Sequence, residues 1–243
     1  MLPNWSTTAI GGKPASVYQP ANRPKFGMLF LHLLSGNILT DNGVYTAELA
    51  RHGIGCCAPQ SGQSWWADRV SLQFDGRQTP ERYILDCVLP WMRETWRLTP
   101  QAIAVAGISM GGQGAIRLGF KHPALFPIVA GVASAFDYHD LYGDGTPLDE
   151  LYDSKEQCRQ DTAILHVNPY KAPPHIWFAC DPTDVWHRGN DRLHEKMMAL
   201  GVQHTAVLET EAGGHSWAYF DAMAAPMMQF VANALEQQSR RLL

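Results

Sequence analysis

A serine between glycines stands where a short apolar run gives way to a run of small residues. The segment is Gly107-Ile108-Ser109-Met110-Gly111, and this Gly-x-Ser-x-Gly spacing is typical of a nucleophile on a sharp turn from a strand to a helix. The glycines leave room for neighbouring backbone. A serine hydroxyl held in such a turn can attack a carbonyl carbon, so the pattern predicts nucleophilic catalysis by Ser109. The alternative is a glycine-rich turn that is packed closely for steric reasons alone.

An attacked carbonyl develops negative charge on its oxygen, and that charge needs hydrogen-bond donors. The backbone N–H of Met110 follows the serine at the start of the predicted helix, so we expect it to be the first donor. The second donor in such sites comes from a loop after an earlier strand, and "LLSGNILT" is the matching loop here. Ser35 and Gly36 would make a tight turn, and we expect the N–H of Asn37 to point inward. The alternative is an ordinary loop.

A serine nucleophile also needs a base, and the base needs an acid that orients it. In hydrolases with this turn, the order along the chain is serine, acid, histidine. His215 lies in "ETEAGGHSWAYF", a glycine-rich loop between the last predicted strand and the final predicted helix. The other histidines after Ser109 lie in loop, helical or strand-edge contexts. We therefore predict that His215 is the base.

The acid is expected just after the preceding strand, where "CDPTDVW" offers two aspartates. Asp181 ends the strand, whereas Asp184 lies further out and can reach a histidine across the edge of the sheet. We favour Asp184 as the acid and expect Asp181 to brace the loop, although the reverse assignment stays open. Because no recognised ligand spacing is present, solvated loop charges explain these carboxylates better than a metal cluster. We expect neither a metal nor an organic cofactor.

The chain must contain elements that bring these distant residues together, and strand and helix patterns alternate along its 243 residues. The predicted strands are 15–20, 27–33, 54–59, 102–107, 126–134, 175–180 and 204–210. The predicted helices are 44–52, 80–97 with a kink at Pro90, 110–121, a helix marked by Leu193, Met197 and Leu200, and a C-terminal helix marked by Phe220, Met223, Met227, Phe230 and Val231. Residues 135–172 are irregular and are predicted to cross one end of the sheet.

Alternating strands and helices over this length predict one α/β domain, residues 1–243, with a mostly parallel central sheet and helices on both faces. Ligands of such sheets bind at the carboxyl ends of the strands, which is where Ser109 falls.

The composition excludes several classes of protein. Hydrophobic residues make up 46% of the chain and charged residues 17%, which favours a globular domain over disorder. The net charge is −4 and no basic cluster is present, so we expect no nucleic-acid partner. The most apolar stretch is too short to span a bilayer and the N-terminus lacks a secretory signal pattern, which predicts no membrane association and a cytoplasmic location. The five cysteines form no Cys-x-x-Cys pair and are expected to be reduced.

Three tryptophans are candidates for substrate binding. Trp65 and Trp66 are adjacent in the long loop 60–78, and Trp217 follows His215 closely. Two indoles in a polar loop are costly to expose, so they either line a pocket or anchor the loop to the core. We predict that Trp65, Trp66 and Trp217 bind substrate, with the anchoring role as the alternative, and Trp186 is a further candidate.

The segments "GISMGGQGA", "DPTDVW" and "GGHSWAYF" resemble those of the putative-esterase family of α/β-hydrolases. This family includes S-formylglutathione hydrolases, feruloyl and acetyl-xylan esterases, and mycolyltransferases. The resemblance extends over nearly the whole chain, with "LSGNILT" similar to the family's oxyanion loop and "SWWADR" similar to its aromatic loop. It implies an α/β-hydrolase fold with Ser109 as nucleophile, Asp184 as acid and His215 as base. By the same resemblance, Met110 and Asn37 would supply the oxyanion N–H groups.

The chain departs from the S-formylglutathione hydrolases in particular. They usually carry histidine where Ile108 stands and cysteine where Leu39 stands, and their segment before the acid is longer. These differences concern the substrate and leave the three catalytic residues intact.

We therefore expect a serine carboxylesterase that acts on a small-molecule ester through an acyl-enzyme. The nearest alternatives are a thioesterase, such as an S-formylglutathione hydrolase, and an acyltransferase with the same triad. An alternative of another class is a catalytically silent hydrolase fold that only binds. The sequence leaves the oligomeric state open, a homo-oligomer included.

Overall fold

Eight strands form one central sheet. The structure is a computed structural model that describes residues 2–36 and 39–240. The strands are β1 (Trp5–Ile10), β2 (Lys13–Tyr18), β3 (Phe26–Leu31), β4 (Ile54–Pro59), β5 (Ile103–Ile108), β6 (Ile128–Val132), β7 (His175–Ala179) and β8 (Thr205–Val207). The α-helices are α1 (Gly43–His52), α2 (Pro80–Tyr83), α3 (Leu89–Trp96), α4 (Met110–Lys121), α5 (Leu148–Leu151), α6 (Lys155–Gln160), α7 (His187–Leu200), α8 (Trp217–Ala222) and α9 (Ala224–Arg240).

The strand order across the sheet is β1-β2-β4-β3-β5-β6-β7-β8. The pairs β1–β2 and β2–β4 are antiparallel, and every pair from β4 to β8 is parallel. The predicted mostly parallel sheet is therefore confirmed. Because consecutive parallel strands all end at the same edge, the loops after β3, β5, β7 and β8 meet there.

The sheet separates two apolar cores, which explains why its central strands are apolar without interruption. In β3, Leu29 and Leu31 face a core that also contains residues of α3, α4 and α7, whereas Met28 and Phe30 face a core shared with α1 and α9. All six residues of β3 and all six of β5 are buried. The prediction of helices on both faces is confirmed.

The structure differs from the sequence-based boundaries in several places. β1 was not predicted, because the centre of "WSTTAI" is polar; among the described strands it lies at the edge of the sheet and pairs with β2. β8 is shorter than the predicted 204–210. The excursion 135–172 is more regular than predicted, since it contains α5 and α6, and Ser154 caps α6 by accepting a hydrogen bond from the Gln157 N–H at 3.2 Å.

The predicted helix 80–97 is interrupted just before Pro90. Residues Ile84–Val88 form a π-helical segment between α2 and α3, and the Leu89 N–H donates to the Ile84 carbonyl. A proline inside a helix lacks the N–H and crowds the carbonyl of the preceding turn, and a widened turn is one way in which a helix accommodates such a residue. The irregularity was predicted at Pro90 itself and lies one turn earlier.

No helix among the described residues combines the length and apolar character needed to cross a bilayer.

A buried ion cluster, defined here as Glu81, Arg117 and Asp161, joins three parts of the chain. Arg117 on α4 donates to Glu81 on α2 at 2.5 Å and also forms an ion pair with Asp161, which follows α6. Arg117 and Glu81 are almost fully buried, at 1% and 2% exposure. Burial alone would raise the pKa of Glu81, but the hydrogen bond from His122 and the neighbouring cations outweigh it and hold that pKa at about 2.

We predict that Glu81→Gln lowers the free energy of unfolding by about 3 kcal/mol at pH 7, because removing one member of a buried ion pair leaves the partner charge uncompensated. The pKa of Glu81 is lowered from 4.5 to about 2. The ionised Glu81 carboxylate therefore stabilises the fold fully above about pH 4.5, and this stabilisation is lost as the pH falls toward about 2. The difference between wild type and variant should therefore shrink between pH 5 and pH 3.

Urea unfolding at pH 7, 5 and 3 measures this difference. Glu150→Gln, at an exposed position of α5, serves as the control and should change stability by less than about 0.5 kcal/mol at every pH. A difference for Glu81→Gln that does not depend on pH would contradict the account of this cluster.

Candidate active site

Ser109 lies at the end of β5 and immediately before the first residue of α4. Its backbone has φ 56° and ψ −117°, a sparsely populated conformation for a residue with a Cβ. Surrounding backbone holds it in place: its N–H donates to the Val132 carbonyl at 2.9 Å, and its carbonyl accepts from the N–H groups of Gln113 and Ala135. The side chain therefore projects from a strained turn that its neighbours fix.

The glycines around Ser109 are required by the packing of α4 against the sheet. A Cβ added at Gly111 would lie 1.9 Å from the Leu31 carbonyl oxygen, and one added at Gly107 would lie 2.3 Å from the Gly111 carbonyl carbon. Both contacts are with backbone, which cannot move aside as a side chain could. The spacing of the motif is thus set by the close approach of α4 to β3 and β5.

The structure brings Ser109, His215 and Asp184 together from three separate loops. His215 Nε2 is 3.0 Å from Ser109 Oγ, and His215 Nδ1 is 2.8 Å from Asp184 Oδ2. A carboxylate can only accept, so Nδ1 carries the proton and Nε2 is free to accept from the serine hydroxyl. The two hydrogen bonds therefore align in the direction that a proton would move when Ser109 attacks.

Asp184 is fixed by its own surroundings. Its side chain is fully buried, and its second oxygen accepts a hydrogen bond from the Trp186 N–H at 2.8 Å. The ring of Phe220 packs edge to face against the ring of His215, with centroids 5.2 Å apart. These contacts restrict both partners of the His215–Asp184 hydrogen bond to one orientation.

Asp181 makes a different set of contacts. One of its oxygens accepts from the N–H and hydroxyl of Thr183, and the other accepts from the N–H groups of Ala212 and Gly214 at 2.6 and 2.9 Å. Burial alone would raise the pKa of Asp181, but these hydrogen bonds hold it well below its usual range. Asp181 thus ties the loop that carries His215 to the end of β7, while Asp184 makes the contact with the histidine.

The backbone near Ser109 offers one clear donor for an oxyanion. Met110 is the first residue of α4, so its N–H has no acceptor within the helix. Asn37, the second predicted donor, lies outside the described residues. The residues just before it, Leu33, Leu34 and Ser35, line the same cavity as Ser109.

His32 is a supporting residue that the sequence reasoning missed. It is fully buried, its Nδ1 donates to the Leu33 carbonyl at 2.7 Å, and its Nε2 accepts from the Ser61 N–H at 3.1 Å. Burial lowers its pKa, which favours the neutral ring that this pattern of one donor and one acceptor requires. His32 therefore joins the loops that follow β3 and β4. A histidine directly after an apolar strand was the available signal.

A cavity of about 420 Å³ opens over Ser109 and His215. Most of its remaining lining is apolar. The lining residues are Leu33, Leu34, Ser35, Gln63, Trp65, Ser109, Leu141, Trp186 and His215. Leu141 comes from the excursion 135–172, so this segment forms one wall of the site. Trp186 is present as well, because the Asp184–Trp186 turn places it at the rim.

The three tryptophans predicted to bind substrate occupy different positions. Trp65 is among the described residues that line the cavity, whereas Trp66 and Trp217 are not. Trp66 is fully buried, and its indole N–H donates to the His32 carbonyl at 3.2 Å, which is the anchoring role considered as the alternative. Trp217 begins α8 and packs edge to face against Phe220.

The backbone of the tryptophan pair explains how adjacent residues take such different positions. Trp65 and Trp66 have φ values of 56° and 52°, a left-handed conformation that bulky residues rarely adopt. The Gln113 side chain on α4 holds this turn by donating to the Trp65 carbonyl at 3.0 Å. Both indoles belong to the same buried apolar cluster, and the turn brings Trp65 to the wall of the cavity as well.

Within residues 2–36 and 39–240, no three His, Cys, Asp or Glu side chains are grouped so that they could share a metal ion.

Comparison with known proteins gives a family and a fold. The sequence model of the putative esterase family matches residues 11–231. An acetyl esterase from Caldicellulosiruptor saccharolyticus is 25% identical over 152 residues, which cover 56% of this chain and 54% of that protein. The matched stretch thus spans about half the length of that relative.

Two solved structures are similar over nearly the whole chain. A fluorophosphonate-binding serine hydrolase F from Staphylococcus aureus gives a TM-score of 0.77 at 18% identity, covering 93% of this chain and 97% of that one. An S-formylglutathione hydrolase from Agrobacterium tumefaciens gives 0.77 at 15% identity, covering 92% and 90%. The predicted α/β-hydrolase fold is confirmed by these likenesses.

Proposed function

Because the chain belongs to the putative esterase family, we propose that it is a serine carboxylesterase with Ser109 as nucleophile, His215 as base and Asp184 as the orienting acid. The observation that carries the proposal is the pair of hydrogen bonds that joins the three side chains, 3.0 Å from Ser109 to His215 and 2.8 Å from His215 to Asp184. Ser109 and His215 line a mostly apolar cavity, from which a carbonyl carbon could approach Ser109 Oγ.

The reaction proceeds in two halves. His215 Nε2 removes the proton of Ser109 as Oγ bonds to the ester carbon, and the negative charge of Asp184 stabilises the imidazolium that forms. The Met110 N–H, at the positive end of α4, holds the oxyanion together with a donor from the loop after β3, for which Asn37 is the predicted residue. His215 then protonates the leaving alcohol, and water releases the acid from the acyl-enzyme by the same steps in reverse.

The cavity favours an uncharged substrate. No Lys, Arg, Asp or Glu side chain is among the described residues that line it, and the two residues of the neighbouring loop that are not described are asparagine and isoleucine. A charged group placed against such a lining would lose its hydration without gaining a partner. Leu34, Trp65 and Trp186 offer apolar area to a hydrocarbon or aromatic group, so we propose a neutral small-molecule ester.

Thioester hydrolysis and acyl transfer to an alcohol remain candidates, because both use the same nucleophile, base and oxyanion donors. The fold shared with an S-formylglutathione hydrolase is compatible with the first of these. The uncharged cavity favours a simple ester over a substrate with several charges. A binding protein without activity is disfavoured by the aligned hydrogen bonds of Ser109, His215 and Asp184.

A cytoplasmic location is part of the proposal. It is supported by the five cysteines, all of which are free and four of which are buried, since secreted proteins commonly pair their cysteines.

We predict that a fluorophosphonate probe labels Ser109 and that Ser109→Ala abolishes both labelling and ester hydrolysis. The loss in kcat should be roughly 10⁵- to 10⁶-fold, as for other triad nucleophiles. Gel fluorescence and peptide mapping by mass spectrometry measure the labelling. Ser35→Ala is the matched control, because Ser35 lines the same cavity, whereas the hydrogen bond of His215 Nε2 is made with Ser109; that variant should label like wild type. Persistent labelling of Ser109→Ala would exclude Ser109 as the nucleophile.

We predict that the two aspartates separate activity from stability. Asp184→Asn should lower kcat by about 10⁴-fold with little change in Tm, because the amide no longer holds the required tautomer of His215. Asp181→Asn removes a charged acceptor from three backbone N–H groups, so it should lower stability by about 2 kcal/mol, equivalent to roughly 4–8 °C in Tm. Ester hydrolysis and thermal unfolding, measured on both variants, decide; the opposite pattern would assign the acid role to Asp181.

We predict that Trp65→Leu raises KM for an aromatic ester by about 10-fold, equivalent to ~1.4 kcal/mol of lost contact, and leaves KM for a small acetate ester nearly unchanged. We expect an aromatic group to contact Trp65, which lines the cavity, and an acetyl group to be too small to do so. Trp66→Leu is the matched control, since Trp66 is buried outside the cavity lining and should lower Tm without separating the two esters. Equal effects of Trp65→Leu on both esters would remove Trp65 from substrate binding.

A further inference from the structure

A continuous line of contacts leads from the cavity to the buried ion cluster. The ring of Tyr138 stacks on the indole of Trp65 with centroids 4.8 Å apart and planes inclined by 22°. The Tyr138 hydroxyl is 3.3 Å from the Tyr152 hydroxyl, and Tyr152 donates to Asp161 Oδ2 at 2.7 Å. Every member of this line except Asp161 is at most 3% exposed. We call these four residues the tyrosine relay.

The inner end of the tyrosine relay is fixed by α4, the helix that begins beside Ser109. Arg117 on that helix donates through Nε to Asp161 Oδ1 at 3.0 Å and to the Asp161 carbonyl at 2.9 Å. Burial alone would raise the pKa of Asp161, but the hydrogen bond from His166 and the charge of Arg117 hold it well below its usual range. Asp161 is therefore a carboxylate that accepts and does not donate.

This charge state sets the direction of the hydrogen bonds. Asp161 accepts a hydrogen bond from the Tyr152 hydroxyl. The Tyr152 oxygen can therefore accept, through a lone pair, a hydrogen bond from Tyr138. The Tyr138 hydroxyl must then donate to Tyr152, since no other acceptor for it is seen among the described residues. One end of the Tyr138 ring is thereby held, and the face of the ring is set against Trp65.

The relay also supports a second wall of the cavity. Tyr138 opens a short helical turn that ends at Leu141, and Leu141 lines the cavity together with Trp65. The hydroxyl that fixes Tyr138 thus acts on two lining side chains, one through ring stacking and one through three residues of backbone. Among the described residues, the side-chain hydrogen bonds of Ser109 and His215 run to each other and to Asp184, and none runs to a member of the relay. A change in the relay should therefore spare the chemical step.

We propose that Tyr152 is a positioning residue for substrate selection, which holds the Trp65 and Leu141 walls of the cavity through Tyr138 and so sets KM for esters that carry an aromatic group. The proposal rests on the esterase function proposed above. It extends that function to Tyr152 and Asp161, which are not among the described residues that line the cavity.

The test is Tyr152→Phe, which removes one hydroxyl and keeps the ring. KM for an aromatic ester should rise by about 3- to 10-fold, a change no larger than the contribution of one ordinary hydrogen bond, because the wall is loosened and not removed. The kcat for that ester, and both constants for an acetate ester, should stay within about 2-fold. Tyr83→Phe is the matched control: Tyr83 is equally buried and donates to the Ile10 carbonyl at 3.1 Å, away from the cavity. It should lower Tm without altering either KM.

A double-mutant cycle shows whether Tyr152 acts through Trp65. In a Trp65→Leu background, Tyr152→Phe should raise KM for the aromatic ester clearly less than it does in wild type, because the Trp65 wall has been removed and only the Leu141 wall remains to be positioned. Full additivity of the two effects, or an unchanged KM in Tyr152→Phe alone, would overturn the proposal and identify the relay as structural only.

Binding measured in the Ser109→Ala protein separates this proposal from the proposed function. The Kd of the intact aromatic ester, obtained by titration calorimetry, should rise by the same 3- to 10-fold on adding Tyr152→Phe. If wild type fails to hydrolyse either ester, the esterase function is wrong, and this Kd still decides the role of Tyr152. A Kd of the aromatic ester that does not change on adding Tyr152→Phe would overturn the proposed role of Tyr152.

Discussion

The site depends on how closely the start of α4 approaches the sheet. The backbone of Gly111 lies so near the Leu31 carbonyl that no Cβ fits between them, and this approach forces the chain through the positive φ of Ser109. The same geometry places the serine hydroxyl above the carboxyl edge of the sheet and the free N–H of Met110 beside it. The strained turn at Ser109 and the close approach of α4 are thus parts of one arrangement.

Buried polar groups then fix the loops that surround this turn. Asp181 holds the His215 loop against the end of β7, and His32 joins the loops after β3 and β4. Arg117 connects α4 with α2 and with the excursion that forms one wall of the cavity. Each of these groups is costly to bury and each has its partners. The loops at the carboxyl edge are thus held by specific directional contacts, whereas the sheet beneath them is held mainly by apolar packing.

Much of the fold could be predicted because its signals are local. The apolar runs of β3, β4 and β5 and the small-residue pattern of α4 encode their elements directly. Ser109, His215 and Asp184 could be named together because parallel strands end at one edge of the sheet. What the sequence could not provide depends on distant partners. β1 is polar at its centre and becomes a strand by pairing with β2. Gln113 holds the turn of Trp65 and Trp66, and the line of contacts from Tyr138 to Arg117 joins separate segments of the chain.

The most direct measurement is to trap the acyl-enzyme with an ester whose acyl group is released slowly, such as a carbamoyl ester, and to locate the adduct by mass spectrometry. We expect release of one equivalent of alcohol per protein, with the acyl mass on the peptide that contains Ser109. His215→Ala should suppress both, since the base is absent. Alcohol release accompanied by an adduct on another residue, or undiminished adduct formation in His215→Ala, would contradict the central claim that Ser109, activated by His215, is the nucleophile.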